Sequence, residues 1–435
     1  MKPEIKQRIE QIRRGEVPEG YKKSPFGILP IDWKIKKLSD VLIKQTRKNK
    51  DNSVHNVLTN SATQGIISQI DYFDKKIAND ENTNGYYLVQ TGDFVYNPRI
   101  SNNAPCGPFN RYNGNKNGIM SPLYTVYRFE DKSLVYSDYL SQYFLSSKWH
   151  AYMNGIANYG ARSDRMNVLS EDMDNMPLPY PSSCEQQRIV EILSTQDKVI
   201  ELYEKKIEQL QLLKKICLKK MFPRQGRNVP EVRFPGFTEP WELRKIIDVC
   251  DYVDYRGKTP TKTQAGIFLV TAKNIKDGYI DYECSKEYIS ENDYEEVMHR
   301  GKPLVGDVLF TTEAPCGNVA QVNNENIAIA QRIIKYCGHK NIIHNTFFKY
   351  YLLSPDFQSE LSSKCTGGTV QGIKGSVLHQ QIVKFPKFDE QIKIKDFLES
   401  LDYLITLQQR TCDEEKRKKN ALMQLLLTGI VRVEK

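Results

Sequence analysis

No stretch of the 435-residue chain approaches the roughly 18 consecutive apolar residues that a membrane-spanning helix requires. The opening segment, MKPEIKQRIEQIRR, is charged and has no apolar core of the kind a secretory leader carries. A soluble, cytoplasmic protein with no membrane role is therefore expected. The nine cysteines form no CxxC pair and are scattered, which suits reduced thiols. Histidine is scarce: there are six, and only His339 and His344 lie near one another, five positions apart, a spacing that favours a surface loop over a metal pair. The catalytic motifs that would announce chemistry are also missing. Holding a flipped adenine for methylation takes an [N/D]PP[Y/F] tetrapeptide, and Asn97-Pro98-Arg99 is the nearest approach. A phosphate-wrapping GxxxxGK[ST] loop is absent. The run Gly367 to Gly375 reads GGTVQGIKG, with Ile373 where lysine should follow Gly372, and does not complete that loop. Pro355-Asp356 is followed by Glu360-Leu361-Ser362, so no PD…ExK nuclease arrangement forms. No FxGxG-like cofactor loop and no Ser/His/Asp or Cys/His arrangement stands out.

What the chain does have is a mild basic surplus, +9 from 62 basic and 53 acidic residues. That permits a nucleic-acid partner without establishing one. Its 25 tyrosines and 28 asparagines suit stacking and base-edge contacts, although an AT-rich genome would encode the same excess. The charge is unevenly placed. Residues 1–30 carry +3, 31–180 carry +2, 181–227 carry +4, 228–383 carry −2 and 384–435 carry +2. Most of the surplus thus lies outside the two long central segments.

The chain also says everything twice. Two helical segments, about 185–222 and about 390–427, align without a gap at an offset of 205. Glu185-Gln186 matches Glu390-Gln391, Ile189 matches Ile394, Leu193 matches Leu398, Asp197 matches Asp402, Ile200 matches Ile405 and Lys214 matches Lys419. Pro181 and Pro386 precede them. The first helix carries a 4-3 seam of Ile189, Leu193, Gln196, Ile200, Tyr203, Ile207, Leu210, Lys214, Cys217 and Met221, the stripe of a coiled coil. About 37 residues make a rod of roughly 55 Å. Complementary stripes predict that the two helices pair with each other.

The preceding segments repeat as well. Pro30 and Trp33 answer Pro240-Trp241, and Gly92-Asp93-Phe94-Val95-Tyr96 answers Gly306-Asp307-Val308-Leu309-Phe310. Each repeat is a unit of about 150 residues followed by a long helix. Alternating runs at 123–129 and 307–310 predict strands; 138–149 and 346–353 predict short helices. Residues 4–14, with Ile5, Ile9 and Ile12, predict an amphipathic arm. The expected class is α+β. The parts are an arm at 1–30, a globular unit at 31–180, a long helix at 181–227, a second globular unit at 228–383 and a second long helix at 384–435.

These doubled landmarks together resemble the DNA-specificity subunit of type I restriction–modification systems. The likeness rests on the Pro/Trp starts, the two Gly-Asp strands, the Pro-then-Glu-Gln helix starts, the Lys-rich helix ends and Glu313-Ala314-Pro315-Cys316-Gly317. It spans nearly the whole chain. It implies two target-recognition domains held apart by antiparallel helices as a pseudo-two-fold repeat, each reading one half of a split target in double-stranded DNA. It further implies docking of two methyltransferase subunits and of restriction/translocase subunits. The chain itself would be non-catalytic and hold no cofactor, with S-adenosylmethionine, ATP and magnesium belonging to its partners. Two rival readings stay open at this point, a self-contained methyltransferase or nuclease, and a coiled-coil scaffold that binds no DNA.

Reading bases calls for forked donors on loops, with Arg on guanine and Asn or Gln on adenine. The candidates in the first unit are Arg99, Asn102 and Asn103 after the Gly-Asp strand, and Arg162, Ser163 and Arg165 in a second loop. By order along the chain, those of the second unit are Lys273, Asn274, Glu313, Arg332, Thr369, Gln371 and Lys374. Some of them would contact phosphate and only position the protein.

Overall fold

The repeated landmarks mark the places where each half of the chain is tied back on itself. Lys34–Lys37, just after Trp33, pairs antiparallel with Pro177–Tyr180, just before the first long helix. Glu242–Lys245, just after Trp241, pairs in the same way with Ile382–Phe385. Both tryptophans are buried beside these ribbons, at 1% and 2% exposure. A computed structural model of the protein describes residues 3–25, 27–70, 83–130, 134–158, 164–255, 260–367 and 371–433.

The chain divides into two compact units, Met1–Leu202 with Thr411–Lys435, and Tyr203–Arg410. The division falls inside both long helices. Each unit therefore contains one globular part together with half of each helix, and the three share a core.

In the first unit a four-stranded antiparallel sheet runs in the order Leu42–Gln45, Thr125–Phe129, Phe94–Tyr96, Phe109–Arg111. In the second, the order is Cys250–Asp254, Ile333–Gly338, Val308–Thr312, Cys316–Gln321. Numbered along each unit, both sheets read first, fourth, second, third. The units differ beside this shared sheet. The first has a hairpin, Leu58–Ser61 with Gly65–Ser68, and a separate antiparallel pair, Tyr87–Val89 with Gly118–Met120. The second has a further four-stranded sheet that includes a parallel pair, Ile267–Val270 with Ile327–Ile329.

The long helices span Ser183–Lys220 and Phe388–Leu426, 38 and 39 residues, as the seam predicts. All ten seam residues of the first helix are buried or half-buried. In the first unit, Ile189 and Leu193 share a core with Met423, Leu426 and Leu427, and Asp197 pairs with Lys419 at 2.6 Å. In the second, Cys217 and Met221 share a core with Ile394, Leu398 and Leu401, and Lys214 pairs with Asp402 at 2.5 Å. Within each unit the helix halves thus run antiparallel. The two ion pairs are one pair written twice, since Asp197/Asp402 and Lys214/Lys419 are the matches at the 205 offset. One site breaks the repeat. Gln196 donates to Glu415 at 2.5 Å in the first unit. The matching Leu401 and Leu210 lie in an apolar core in the second.

The Pro-then-Glu-Gln motif explains itself at each helix start. Gln186 Nε2 donates to the Pro181 carbonyl at 2.9 Å, and Gln391 Nε2 to that of Pro386 at 3.0 Å. Glu185 accepts from Trp33 Nε1 and from the Arg432 guanidinium, while Glu390 takes both forks of Arg233. Acidic groups in the first helical turn also complement the positive end of the helix dipole. Only part of the expected arm at 1–30 is helical: Pro3–Arg13 is a helix, from which Arg8 donates to the Ile430 carbonyl at 2.9 Å, while Tyr21–Ser24 pairs antiparallel with Gly27–Pro30 and buries Tyr21 and Leu29.

One expectation needs correction. The segment 138–149 is not a single helix: Leu134–Leu145 ends before His150–Ile156 begins. The Ser146 hydroxyl donates to the Tyr143 carbonyl and accepts from Lys148 N, competing with the helical ladder and ending it. The helix expected at 346–353 forms as Asn345–Leu353, its first turn capped by His344 Nδ1 accepting from Thr346 N.

Candidate nucleic-acid interface

Strand register decides which loops can meet. In the first sheet Gln45 faces Val126, while Tyr96 faces both Thr125 and Phe109. The chain after Gln45 and the hairpin loop after Tyr96 therefore leave the same end of the sheet. In the second sheet, Asp254 faces Ile334, Thr311 faces Ile333 and Thr312 faces Cys316. Arg332 and the hairpin turn around Glu313 thus lie at the corresponding end.

The Gly-Asp motif fixes the strand that carries each loop. Gly92 and Gly306 have φ of +92° and +96°, backbone that glycine adopts without strain. Asp93 accepts from Gln90 N and takes both forks of Arg128 at 2.9 Å. Asp307 accepts from Leu304 N and from Lys335 Nζ at 2.7 Å. Both aspartates are 2% exposed, so each buried carboxylate is paired as burial demands. The motif is scaffold, not reader.

In the first unit the two nominated loops are joined. Arg99 bridges Arg165, Ile100 N donates to the Asp164 carbonyl, and Met166 N donates to that of Pro98. Arg99 is exposed and its Nε lies 3.7 Å from Asp164 Oδ2. Asn102 and Asn103 are exposed on a turn closed by reciprocal bonds between Ser101 and Ala104. Arg165 is half-buried. Arg162 and Ser163 lie outside the described residues.

The second unit repeats this join at matching positions. Glu313 bridges Gly372, and Ile373 N donates to the Thr312 carbonyl at 2.9 Å, as Met166 does to Pro98. Thr312 N donates to the Arg332 carbonyl, and Arg332 Nη2 lies 3.7 Å from Glu313. Both side chains remain about half exposed. Gln371 and Lys374 are exposed; Thr369 lies outside the described residues. Where the first hairpin loop spans residues 97–108, the second spans only 313–315. Cys316 and Cys365 bring their sulfurs within 3.4 Å at its base. Burial, then the neighbouring Cys365 thiol, pushes the Cys316 thiol up to about 12.

Lys273 is exposed, but Asn274 is fully buried and its amide is committed. Its Oδ1 accepts from the Thr271 amide and hydroxyl, and its Nδ2 donates to the Asp281 and Ser285 carbonyls. Asn274 therefore shapes the 271–285 loop and presents nothing to a base. Backbone strain gathers in the same regions. Of the four described non-glycine residues with positive φ, Asn52, Ala314 and Arg332 lie in loops at these sheet ends. Such positions cost on the order of 1–3 kcal/mol and concentrate at functional sites.

The sequence reading missed the run Arg47-Lys48-Asn49-Lys50. It follows the edge strand Leu42–Gln45 and so leaves the same sheet end as the Arg99 loop. Arg47, Lys48 and Lys50 are exposed and line an open groove of about 830 Å³. Buried Asn49 fixes the turn, donating to the Val54 carbonyl and accepting from Val54 N. The run of cations was visible in the sequence; its place beside the other loops was not. Among the described residues no cluster of three or more His, Cys, Asp or Glu could hold a metal ion, and no helix is long and apolar enough to cross a membrane.

Comparison with known proteins agrees with this doubled layout. The family model for the type I restriction modification DNA specificity domain matches twice, over residues 30–212 and 238–415. A putative type I restriction enzyme MjaX specificity subunit of Methanocaldococcus jannaschii is 23% identical over 433 residues, covering 96% of this chain and 97% of its own. The MjaVIII specificity subunit of the same organism is 26% identical over 333 residues, covering 73% and 76%. A chain solved in work on complex assembly and conformational transition of the type I R-M system shares the fold. It has a TM-score of 0.57 at 18% identity, covering 93% of this chain and 99% of that one. The two family matches, one in each half of the chain, show that this protein belongs to the type I restriction modification DNA specificity family.

Proposed function

We propose that the chain is the target-recognition subunit of a type I restriction–modification enzyme, non-catalytic itself, with each unit reading one half of a split sequence in double-stranded DNA. The observation that carries this is the repeated loop join. In both units the segment after the Gly-Asp strand is bridged to a second loop at the same end of the same sheet, Arg99 to Arg165 and Glu313 to Gly372. The bridged frame is common to both, while loop length and side chains differ, which is what two modules reading different half-sites need. Arg99 and Arg165 suit guanine, Asn102, Asn103 and Gln371 suit adenine, and Glu313 suits the cytosine amino group.

In this reading two methyltransferase subunits, with restriction/translocase subunits in the full complex, supply the chemistry. S-adenosylmethionine, ATP and magnesium are bound by those partners, and the assembly works in the cytoplasm. The test is the methylation sequence of a host expressing the chain with its methyltransferase. A split motif is expected. Arg99→Ala with Arg165→Ala should relax one half only, since a bidentate side chain on a base supplies about 1–3 kcal/mol of discrimination. A contiguous motif, or equal relaxation of both halves, would refute the reading.

A further inference from the structure

We propose that Asn60 is a positioning residue for half-site reading by the first unit, its buried amide clamping the base of the loop that presents Arg99, Asn102 and Asn103. This rests on the reading of that loop as part of the DNA interface.

Asn60 lies on Leu58–Ser61, outside the main sheet, and is 2% exposed. Its Nδ2 donates to the Val95 carbonyl at 2.8 Å and to the Pro108 carbonyl at 3.1 Å. One bond reaches the limb entering the loop and the other the limb leaving it. Its Oδ1 accepts from Asn110 Nδ2 at 2.7 Å, and its backbone carbonyl accepts from Asn97 Nδ2 at 3.1 Å. Every polar group of the side chain is therefore used, as a buried amide requires.

The limbs need such a clamp because they converge so closely. Asn97 N donates to the Pro108 carbonyl at 2.9 Å. A Cβ placed on Gly107 would sit 2.0 Å from the Asn97 carbonyl oxygen, and its φ is +77°, so only glycine fits. Beyond this neck the loop leans on the second loop through Pro98, Arg99 and Ile100, and its tip at 101–103 is exposed, so the neck sets the direction in which that tip leaves the sheet. Asn97 completes the link by accepting from Arg99 N at 3.0 Å through Oδ1. The Asn97-Pro98-Arg99 run that resembled a methyltransferase motif is thus a loop anchor. The second unit is built otherwise. Its hairpin loop is three residues, and Asn318 Nδ2 reaches the Ile275 carbonyl at 2.7 Å. It serves as an internal control.

The experiment uses the chain assembled with its methyltransferase partner and measures methylation of oligonucleotides carrying single-base changes in either half-site. Asn60→Asp keeps the shape but has at most one proton to give where the amide gives two, so it cannot hold both carbonyls; Asn60→Ser likewise keeps one donor. Asn110→Ser, outside the core, frees the Asn60 Oδ1 should either core variant fail to fold by thermal melting. Discrimination is expected to fall about tenfold, within the range one base pair is worth, only in the half-site that is also sensitive to Arg99→Ala. The second half-site should keep its discrimination. Unchanged discrimination in a folded variant, or an equal fall in both halves, overturns the proposal. A wild-type enzyme that shows no split target overturns instead the reading on which it rests.

Discussion

Arg432, three residues from the chain end, shows how much one side chain decides. Its guanidinium meets Glu185 at 2.7 and 2.9 Å and Asp32 at 2.7 and 3.0 Å. It thereby joins the Trp33 turn, the first long helix and the chain end within one unit. The Arg432 fork beside Asp32 holds that carboxyl below the usual carboxylate range. A depressed folded value means the pair stabilises above the unfolded value of about 3.9, and its contribution disappears as pH falls through the lower folded one. Asp32→Asn should lower stability at pH 7 by less than about 1 kcal/mol, because the carboxylate is largely exposed. The deficit should vanish in melts carried out well below pH 3. A deficit that persists there would point to packing instead of charge. None of this is legible in the sequence, since residues 400 positions apart have no local signature. Asn274 teaches the same lesson in reverse. Its residue type suits a base, but only the fold revealed that all its hydrogen bonds are already made.

At the scale of elements, the long helices were the most legible part. A 4-3 seam over ten positions is a strong periodic signal, and every seam residue is shielded. The loops were half legible. Their composition marked them, but their meeting depends on strand register. The Arg47-Lys48-Asn49-Lys50 run illustrates this, since a net of +2 over residues 31–180 conceals three exposed cations within four residues at the loop-bearing end of the sheet. Binding to phosphate depends on salt, base reading far less. Replacing Arg47, Lys48 and Lys50 with Gln should reduce the slope of log affinity against log salt by up to about 0.9 for each phosphate no longer neutralised. The recognised sequence should stay the same. A changed sequence with an unchanged slope would reassign the run to base reading.

At the scale of the whole molecule, the repeat is the organising fact. Two different globular parts are each built around the same strand order and the same loop join, and each is braced by the same Asp–Lys helix pair. If the helices set the spacing of the half-sites, removing seven residues from each preserves the seam and shortens each by roughly 10 Å. That is about three base pairs at ~3.4 Å each. The methylated motif should keep both halves and have a shorter spacer, which sequencing of modified DNA reads directly; an unchanged spacer would refute that role for the helices.

The sequence by itself determined the doubled order, the helix lengths and the seam, because periodic burial and repeated landmarks are written in local spacing. The loops that converge, the polar groups already consumed in holding them, and the side chains left exposed on them were decided only by tertiary structure. Those outcomes depend on register and on hydrogen bonds between residues far apart in the chain, and no local spacing records them.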